Sequence, residues 1–262
     1  MTGAVSNPIV VMQRHELKYL LSAEKTEYLK ERLKGRMEPD RFGLTTIASL
    51  YYDTPDRRLI RASLDKPAFK EKIRLRSYGP AADDSAVFLE LKRKADGVVY
   101  KRRVQSTIPQ VERFFAGEGD VCGGGQINRE ITVFRDHYRP LVPACLIAYD
   151  RIAYAEPGSD LRLTIDGNPR YRADRLDLRG PMDGVSLLPE GWSVLEVKAQ
   201  CALPLWLAKI LSAGEIYKGS FSKYGEAYQR QMEKAPCADR KKEDSSCFIQ
   251  FIPQMLPLRS SF

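Results

Sequence analysis

Three stretches in the first half of the chain decide the fold, and they read KIRLRSYG (72–79), FLELKRK (88–94) and GVVYKRR (97–103). Charged and apolar residues alternate in the first two, and Lys101 and Arg103 share a face in the third, which places these charged side chains on one face of each β-strand. The same alternation predicts eight strands, at about residues 10–20, 45–54, 70–78, 86–94, 97–106, 145–155, 160–166 and 192–200. We therefore expect an α+β fold built on an antiparallel sheet with helices outside it.

Helix signals fall between these strands. Ser22 can cap, and Gly35 can end, a helix that reads SAEKTEYLKERLKG. Further helices are predicted at about residues 55–65, 109–117, 127–138, 204–214 and 222–234. From Ala235 the sequence becomes a charged, Ser-containing stretch with an apolar, Pro-broken end. We expect one domain over 1–234 and a flexible tail over 235–262.

Composition restricts the function classes. The 262 residues include 42 Lys and Arg against 34 Asp and Glu, a net charge of +8 that favours an anionic partner. No apolar run is long enough for a membrane-spanning helix, and the five cysteines form no Cys-x-x-Cys pair. We expect a cytoplasmic protein with no transmembrane segment and no zinc or disulfide framework. Nucleic acid is disfavoured as a partner, since no aromatic and basic surface stripe is evident.

The charged faces of the strands carry the functional signal. A Glu-x-Lys pattern recurs at 16/18, 90/92 and 196/198, and cations outnumber acids on these faces. A solvated sheet face would explain any single strand, but like charges opposite each other destabilise a sheet unless an anion neutralises them. Eight antiparallel strands can close into a barrel whose lumen takes the charged face. Such a lumen suits phosphates together with Mn²⁺ or Mg²⁺ on carboxylate oxygens.

Ten ordered motifs now resemble a known family, the VTC domain. They are RHELKYLL (14–21), SLYYDTP (49–55), KIRLRSYG (72–79), FLELKRK (88–94), GVVYKRR (97–103), YDRIAY (149–154), LRLTID (161–166), VLEVKAQ (194–200), PLWL (204–207) and FSKYGEAY (221–228). This is the polyphosphate polymerase domain of the vacuolar transporter chaperone complex, which also occurs as stand-alone bacterial proteins. It belongs to the triphosphate tunnel metalloenzymes and is related to the CYTH proteins.

The resemblance implies an eight-stranded antiparallel β-barrel tunnel. Active members transfer the γ-phosphoryl group of ATP to a growing polyphosphate chain with a divalent metal, commonly Mn²⁺. The implied tunnel cations are Lys18, Arg74, Arg76, Lys92, Lys101, Arg151, Arg162 and Lys223. Glu196 matches the metal-holding glutamate, and Ser222 matches a position that contacts phosphate.

From these matches and the strand faces we assign site roles. The catalytic candidates are Lys18, Arg74, Arg76, Lys92, Lys198 and Lys223, and the substrate-binding candidates are Glu16, Lys101, Arg103, Tyr149, Arg151, Arg162 and Ser222. Glu196 is the metal ligand, while Lys198 and Asp166 tune the site.

One departure from the wider superfamily matters. CYTH-type members carry Glu-x-Glu-x-Lys on the first strand, whereas this chain has Arg14 at the first carboxylate position, ahead of Glu16 and Lys18. This substitution disfavours a CYTH-like hydrolase. Two alternatives to the polymerase stay open: a tunnel-fold hydrolase of tripolyphosphate or a nucleoside triphosphate, and a non-catalytic polyphosphate sensor. We expect none of the membrane helices of the eukaryotic complex in this chain, so export coupled to synthesis is not implied unless a separate membrane partner supplies it.

Overall fold

A computed structural model describes residues 15–65, 67–96, 98–121, 123–200 and 202–234. The predicted tail over 235–262 and the substituted position Arg14 lie outside the described residues. None of the helices in these ranges has the length and apolar character that spanning a bilayer would need.

One mixed α+β unit is described, with eleven strands in a single sheet. They are β1 (His15–Leu21), β2 (Glu38–Pro39), β3 (Thr45–Asp53), β4 (Phe69–Tyr78), β5 (Val87–Ala95), β6 (Val98–Ser106), β7 (Val142–Ala155), β8 (Arg162–Arg172), β9 (Val185–Ser186), β10 (Ser193–Ala199) and β11 (Lys218–Gly219). All eight predicted strands are present, and most of their ends differ by one to three residues from the predicted ones. The strand β8 continues six residues past its predicted end, and the predicted start of the first strand, 10–14, lies outside the described residues. The other three have two residues each, too short for alternation to be recognised.

The described ranges contain six helices, five between strands and one after the last strand, each close to a predicted one. They are α1 (Ala23–Leu33), α2 (Arg58–Leu64), α3 (Ile108–Ala116), α4 (Gly125–His137), α5 (Leu205–Ala213) and α6 (Lys223–Lys234). Ser22 caps α1 as expected, because its side chain accepts a hydrogen bond from the backbone N–H of Lys25.

The sheet is strongly curved, but its two edge strands are not hydrogen-bonded to each other, so it is not a closed barrel. Its strand order is β11-β1-β10-β8-β7-β3-β4-β5-β6, and every pairing is antiparallel. Six strand spacings of about 4.8 Å would separate β1 from β5 by roughly 29 Å if the sheet were flat. The carboxylate of Glu16 on β1 nevertheless lies 3.6 Å from Nζ of Lys92 on β5. The charged face is therefore concave.

The predicted eight-stranded closed barrel needs correction. The sheet has eleven strands, and within the described ranges no pairing joins β6 to β11. The two sides approach through side chains, such as the Glu16–Lys92 pair, instead of a hydrogen-bonded strand ladder. An ion pair can close this distance because Lys and Glu side chains reach several ångströms beyond the backbone.

The apolar face of the sheet is buried under the helices. Leu89 and Leu91 of β5 pack in one core with Phe114 of α3 and Phe134 of α4. A second core joins β1, β8 and β10 to α1 and α5. Because helices cover the outer face, the charged face lies inside the curve, and Asp166 there is fully buried. This excludes the alternative of an ordinary solvated sheet face.

Asp53, at the end of β3, connects three elements. Its carboxylate accepts hydrogen bonds from the backbone N–H groups of Leu59 and Ile60 in α2, at 2.8 and 3.0 Å. It also accepts one from the hydroxyl of Tyr224 in α6, at 2.9 Å. Burial and the nearby Asp53 carboxylate raise the pKa of Tyr224, so its hydroxyl remains a donor. Asp53 thereby fixes the start of α6 against the sheet.

We expect Asp53→Ala to lower the free energy of unfolding by about 2–4 kcal/mol, because several buried donors lose their acceptor. Chemical denaturation measures this change. The matched control is Asp56→Ala at an exposed position three residues on, which should change stability by less than about 0.5 kcal/mol. Equal effects of the two substitutions would show that Asp53 does not anchor α6.

Candidate functional site

The candidate site is the concave charged face of the sheet together with the start of α6. Alternation along seven strands brings its side chains together. They are Glu16 and Lys18 of β1, Lys72, Arg74 and Arg76 of β4, Glu90 and Lys92 of β5, Lys101 and Arg103 of β6, Tyr149 and Arg151 of β7, Arg162 and Asp166 of β8, Glu196 and Lys198 of β10, and Ser222 and Lys223 at α6.

Glu90 is the centre of a first cluster. Its Oε2 accepts a hydrogen bond from Nε of Arg74 at 2.9 Å and lies 3.6 Å from a guanidinium nitrogen of Arg76. Its Oε1 lies 2.7 Å from Nζ of Lys101 and 3.7 Å from a guanidinium nitrogen of Arg103. Burial would raise the pKa of Glu90, but the charges of Arg74, Arg76 and Lys101 lower it to about 2. The group is therefore anionic at neutral pH.

Asp166 forms a second cluster with cations from two elements. Arg151 binds it with two parallel hydrogen bonds of 2.6 and 2.8 Å, and Nζ of Lys223 donates another at 2.6 Å. Lys223 also lies over the ring of Tyr149, 4.4 Å from its centroid. Burial opposes ionisation, but Lys223 and Arg151 lower the pKa of Asp166 to about 2. These contacts bring the first residue of α6 into the cavity.

Glu196 and Glu16 form a third, more accessible cluster. Nζ of Lys198 lies 2.6 Å from Glu196, and Nζ of Lys18 lies 4.0 Å from Glu196 and 3.6 Å from Glu16. Lys92 approaches Glu16 from the opposite side of the cavity. Burial opposes ionisation of Glu196, but Lys198 and then Lys18 hold its pKa below the usual range. The side chains of Glu196 and Glu16 keep 13% and 30% exposure, against 1% for the two other carboxylates.

The implied metal fits this third cluster. The described residues contain no group of three or more His, Cys, Asp or Glu side chains that could hold an ion. Mg²⁺ is usually held by only one or two carboxylates, and substrate phosphates and water complete its coordination. Glu196 and Glu16 offer carboxylate oxygens on one accessible wall, beside the cations expected to bind phosphate. The donor set therefore suits a metal that arrives with a phosphate-bearing substrate.

Ser222, at the start of α6, meets Lys72 of β4. Oγ of Ser222 accepts a hydrogen bond from the backbone N–H of Gly225 at 3.1 Å and one from Nζ of Lys72 at 3.5 Å. Burial and the ammonium groups of neighbouring lysines, including Lys18, lower the pKa of Lys72 to about 8. Lys72 was not among the predicted site residues, although it shares its strand face with Arg74. That shared face was the signal available in the sequence.

The predicted site residues are distributed unevenly. Most lie in the three clusters, whereas Arg162 is exposed at the end of β8, in register with Lys198. Tyr149 is buried and accepts a hydrogen bond from Arg76 at 3.4 Å, so it lines the cavity. The hydroxyl of Tyr51 on β3 accepts a hydrogen bond from Arg74 at 3.0 Å, and its ring stacks on Tyr224. It therefore connects the Glu90 cluster to α6.

Comparisons with solved structures support the fold. A candidate adenylate cyclase from Bacillus halodurans aligns with a TM-score of 0.50 and 13% identity, over 79% of this chain and 92% of its own. A candidate adenylyl cyclase from Hippeastrum, for which a dominant triphosphatase activity is described, aligns with a TM-score of 0.48 and 17% identity. That alignment covers 86% of this chain and 98% of the other. The first of these two alignments supports the fold.

Curated proteins give no match to this sequence. A family model described as the VTC domain matches residues 13–232, which is most of the chain and includes every side chain of the candidate site. The match agrees with the order of the strand motifs and with the cations on the concave face. The chain belongs to the VTC domain family.

Proposed function

We propose that this protein is an ATP–polyphosphate phosphotransferase, a polyphosphate polymerase. It would transfer the γ-phosphoryl group of ATP to the end of an inorganic polyphosphate chain in the concave cavity. The observation that carries the proposal is the inward-facing excess of cations, which only a polyanionic ligand would neutralise. Family membership supports the same activity, and a linear phosphate chain fits a cavity whose cations come from successive strands.

In this reaction the bond between the γ-phosphorus and the β,γ-bridging oxygen breaks. A terminal oxygen of the polyphosphate chain forms the new bond to phosphorus, and ADP leaves. That oxygen is already anionic at neutral pH, so the protein needs no strong general base. Phosphoryl transfer depends mainly on positioning and on neutralisation of charge, which the clustered cations supply.

Different side chains contribute to positioning and to neutralisation of charge according to their geometry. Arg74 and Arg76 present planar groups suited to two-point contact with phosphate, while Lys18 and Lys223 act as point charges. Glu196, with Glu16 beside it, would hold Mn²⁺ or Mg²⁺. When bound, the ion neutralises phosphate oxygens and orients them.

A cytoplasmic location is part of the proposal. Cys145, the one cysteine in the described ranges, is a buried free thiol, and the sequence lacks paired cysteine motifs. The candidate cations face the cavity and not an outer surface, which disfavours nucleic acid as a partner.

The direct test incubates purified protein with ATP and Mn²⁺, with and without a pyrophosphate primer, and resolves the products on a gel. A ladder of polyphosphate with matching ADP is expected. Free phosphate without a ladder would overturn the polymerase in favour of a triphosphatase. Absence of turnover, with polyphosphate still bound, would favour a sensor.

Glu196→Gln should abolish metal-dependent turnover, because a neutral amide is a poor ligand for a hard divalent cation. Metal-free binding of tripolyphosphate should not weaken, since the substitution removes a negative charge. Initial rates and calorimetric titration measure the two effects. Glu190→Gln, at an exposed turn, is the matched control and should behave as the wild type. Full activity of Glu196→Gln would contradict the metal assignment.

Arg74→Ala should weaken tripolyphosphate binding by about 10- to 150-fold, the equivalent of roughly 1.5–3 kcal/mol for a lost charge-assisted contact. Titration calorimetry measures the change. Arg129→Ala, an exposed position on α4 outside the cavity, provides the control. Unchanged affinity after loss of Arg74 would place the phosphate chain elsewhere.

The lowered pKa of Lys72 predicts a pH dependence. Below about pH 8 this amine is charged and attracts phosphate, and it loses that charge as the pH rises through about 8. The KM for ATP should therefore rise between pH 7 and pH 9. Lys72→Met should show a high KM that changes little over this range. The same pH response in both proteins would exclude Lys72 as its source.

A further inference from the structure

The proposed reaction leaves Glu90 without a role, although it is the carboxylate with the most cationic contacts. Four cations from β4 and β6 lie within 3.7 Å of it, and its side chain is only 1% exposed. Asp166, equally buried, has two cationic contacts among the described residues, Arg151 and Lys223. Glu90 thus lies on the wall where Arg74, Arg76 and Lys101 are expected to bind phosphate.

Both oxygens of Glu90 already lie within ion-pair distance of cations. Arg74 reaches Oε2 through two nitrogens, each at 2.9 Å, and Lys101 reaches Oε1 at 2.7 Å. A metal ion could bind there only by displacing these cations. Proton transfer is equally disfavoured, since the pKa of about 2 keeps the group ionised under working conditions. Glu90 is therefore a permanent negative charge within the cavity, a resident anion, and it serves neither as a metal ligand nor as a proton donor.

The same cations retain unused binding capacity. Nη1 of Arg74 donates a hydrogen bond to the hydroxyl of Tyr51, and Nη2 of Arg76 donates one to the hydroxyl of Tyr149. These contacts fix the orientation of both guanidinium groups. Nε of Arg76 is buried, yet it has no hydrogen-bond acceptor within the described part of the chain. Buried donors are normally paired. This free donor next to Glu90 indicates that a ligand oxygen completes the cluster.

We propose that Glu90 is a positioning residue that holds the four cations in the empty cavity and competes with the phosphate chain for them. Like charges held this close repel one another, and a resident carboxylate keeps them in place before substrate arrives. The same negative charge repels incoming phosphate and so weakens its binding. Weaker binding allows a growing chain to advance or leave. The inference rests on the proposed function for the identity of the polyanion.

The test is metal-free calorimetric titration of tripolyphosphate into Glu90→Gln. Removal of the resident charge should tighten binding on the order of tenfold, because an effective dielectric constant near 20 leaves a strong charge interaction over a few ångströms. Under turnover conditions both KM and kcat should fall, since product leaves more slowly. A residue with only a structural role would weaken binding when replaced, so the direction of the change separates the two roles.

Glu71→Gln is the matched control. Glu71 is also a buried carboxylate, on β4, and is contacted by Arg93. It faces outward, however, and accepts a hydrogen bond from Tyr138, the residue after α4, at 2.9 Å. Its replacement changes the net charge by the same amount. It should leave tripolyphosphate affinity unchanged, which would show that the position of the charge matters and not the total.

Glu90→Ser covers the case in which the amide variant does not fold, because its smaller side chain leaves room for water between the cations. Glu90→Asp keeps the charge and should restore affinity close to that of the wild type. Unchanged or weaker binding by the folded neutral variants would overturn the inference while leaving the proposed function standing. Failure of the wild type to bind tripolyphosphate would overturn both.

Discussion

The electrostatic repulsion among cations on the concave face is the constraint on which the rest of the structure depends. Curvature brings together Lys and Arg side chains from strands that would lie far apart in a flat sheet. Buried carboxylates offset part of this repulsion, and each is placed where several cations converge. The remaining positive charge is what makes the cavity a site for a polyanion.

The carboxylates differ in accessibility, and the difference separates their proposed roles. Glu90 and Asp166 are enclosed by guanidinium and ammonium groups, so they act on their neighbours. Glu196 and Glu16 remain partly open to the cavity and can accept a cation carried in with phosphate. One sheet face thus combines fixed counter-charges with a wall available for metal.

Much of the fold could be predicted from sequence, because alternation with a period of two survives in β4, β5, β8 and β10. It assigned Arg74 and Glu90 to one face and Leu75 and Leu89 to the other, as the structure confirms. Pairing partners could not be predicted, since Lys223 reaches Asp166 across 57 residues of sequence. The lack of pairing between β6 and β11 could not be predicted either, because closure depends on the curvature of the whole sheet and not on a local sequence pattern.

The most direct measurement of the central claim is a crystal structure of the protein with tripolyphosphate and Mn²⁺, with anomalous scattering recorded at the manganese edge. The account predicts a phosphate chain along the concave face, in contact with Arg74, Arg76 and Lys18, and an anomalous peak beside Glu196. Phosphate and manganese bound only on the outer surface, with the cavity cations unchanged, would contradict it.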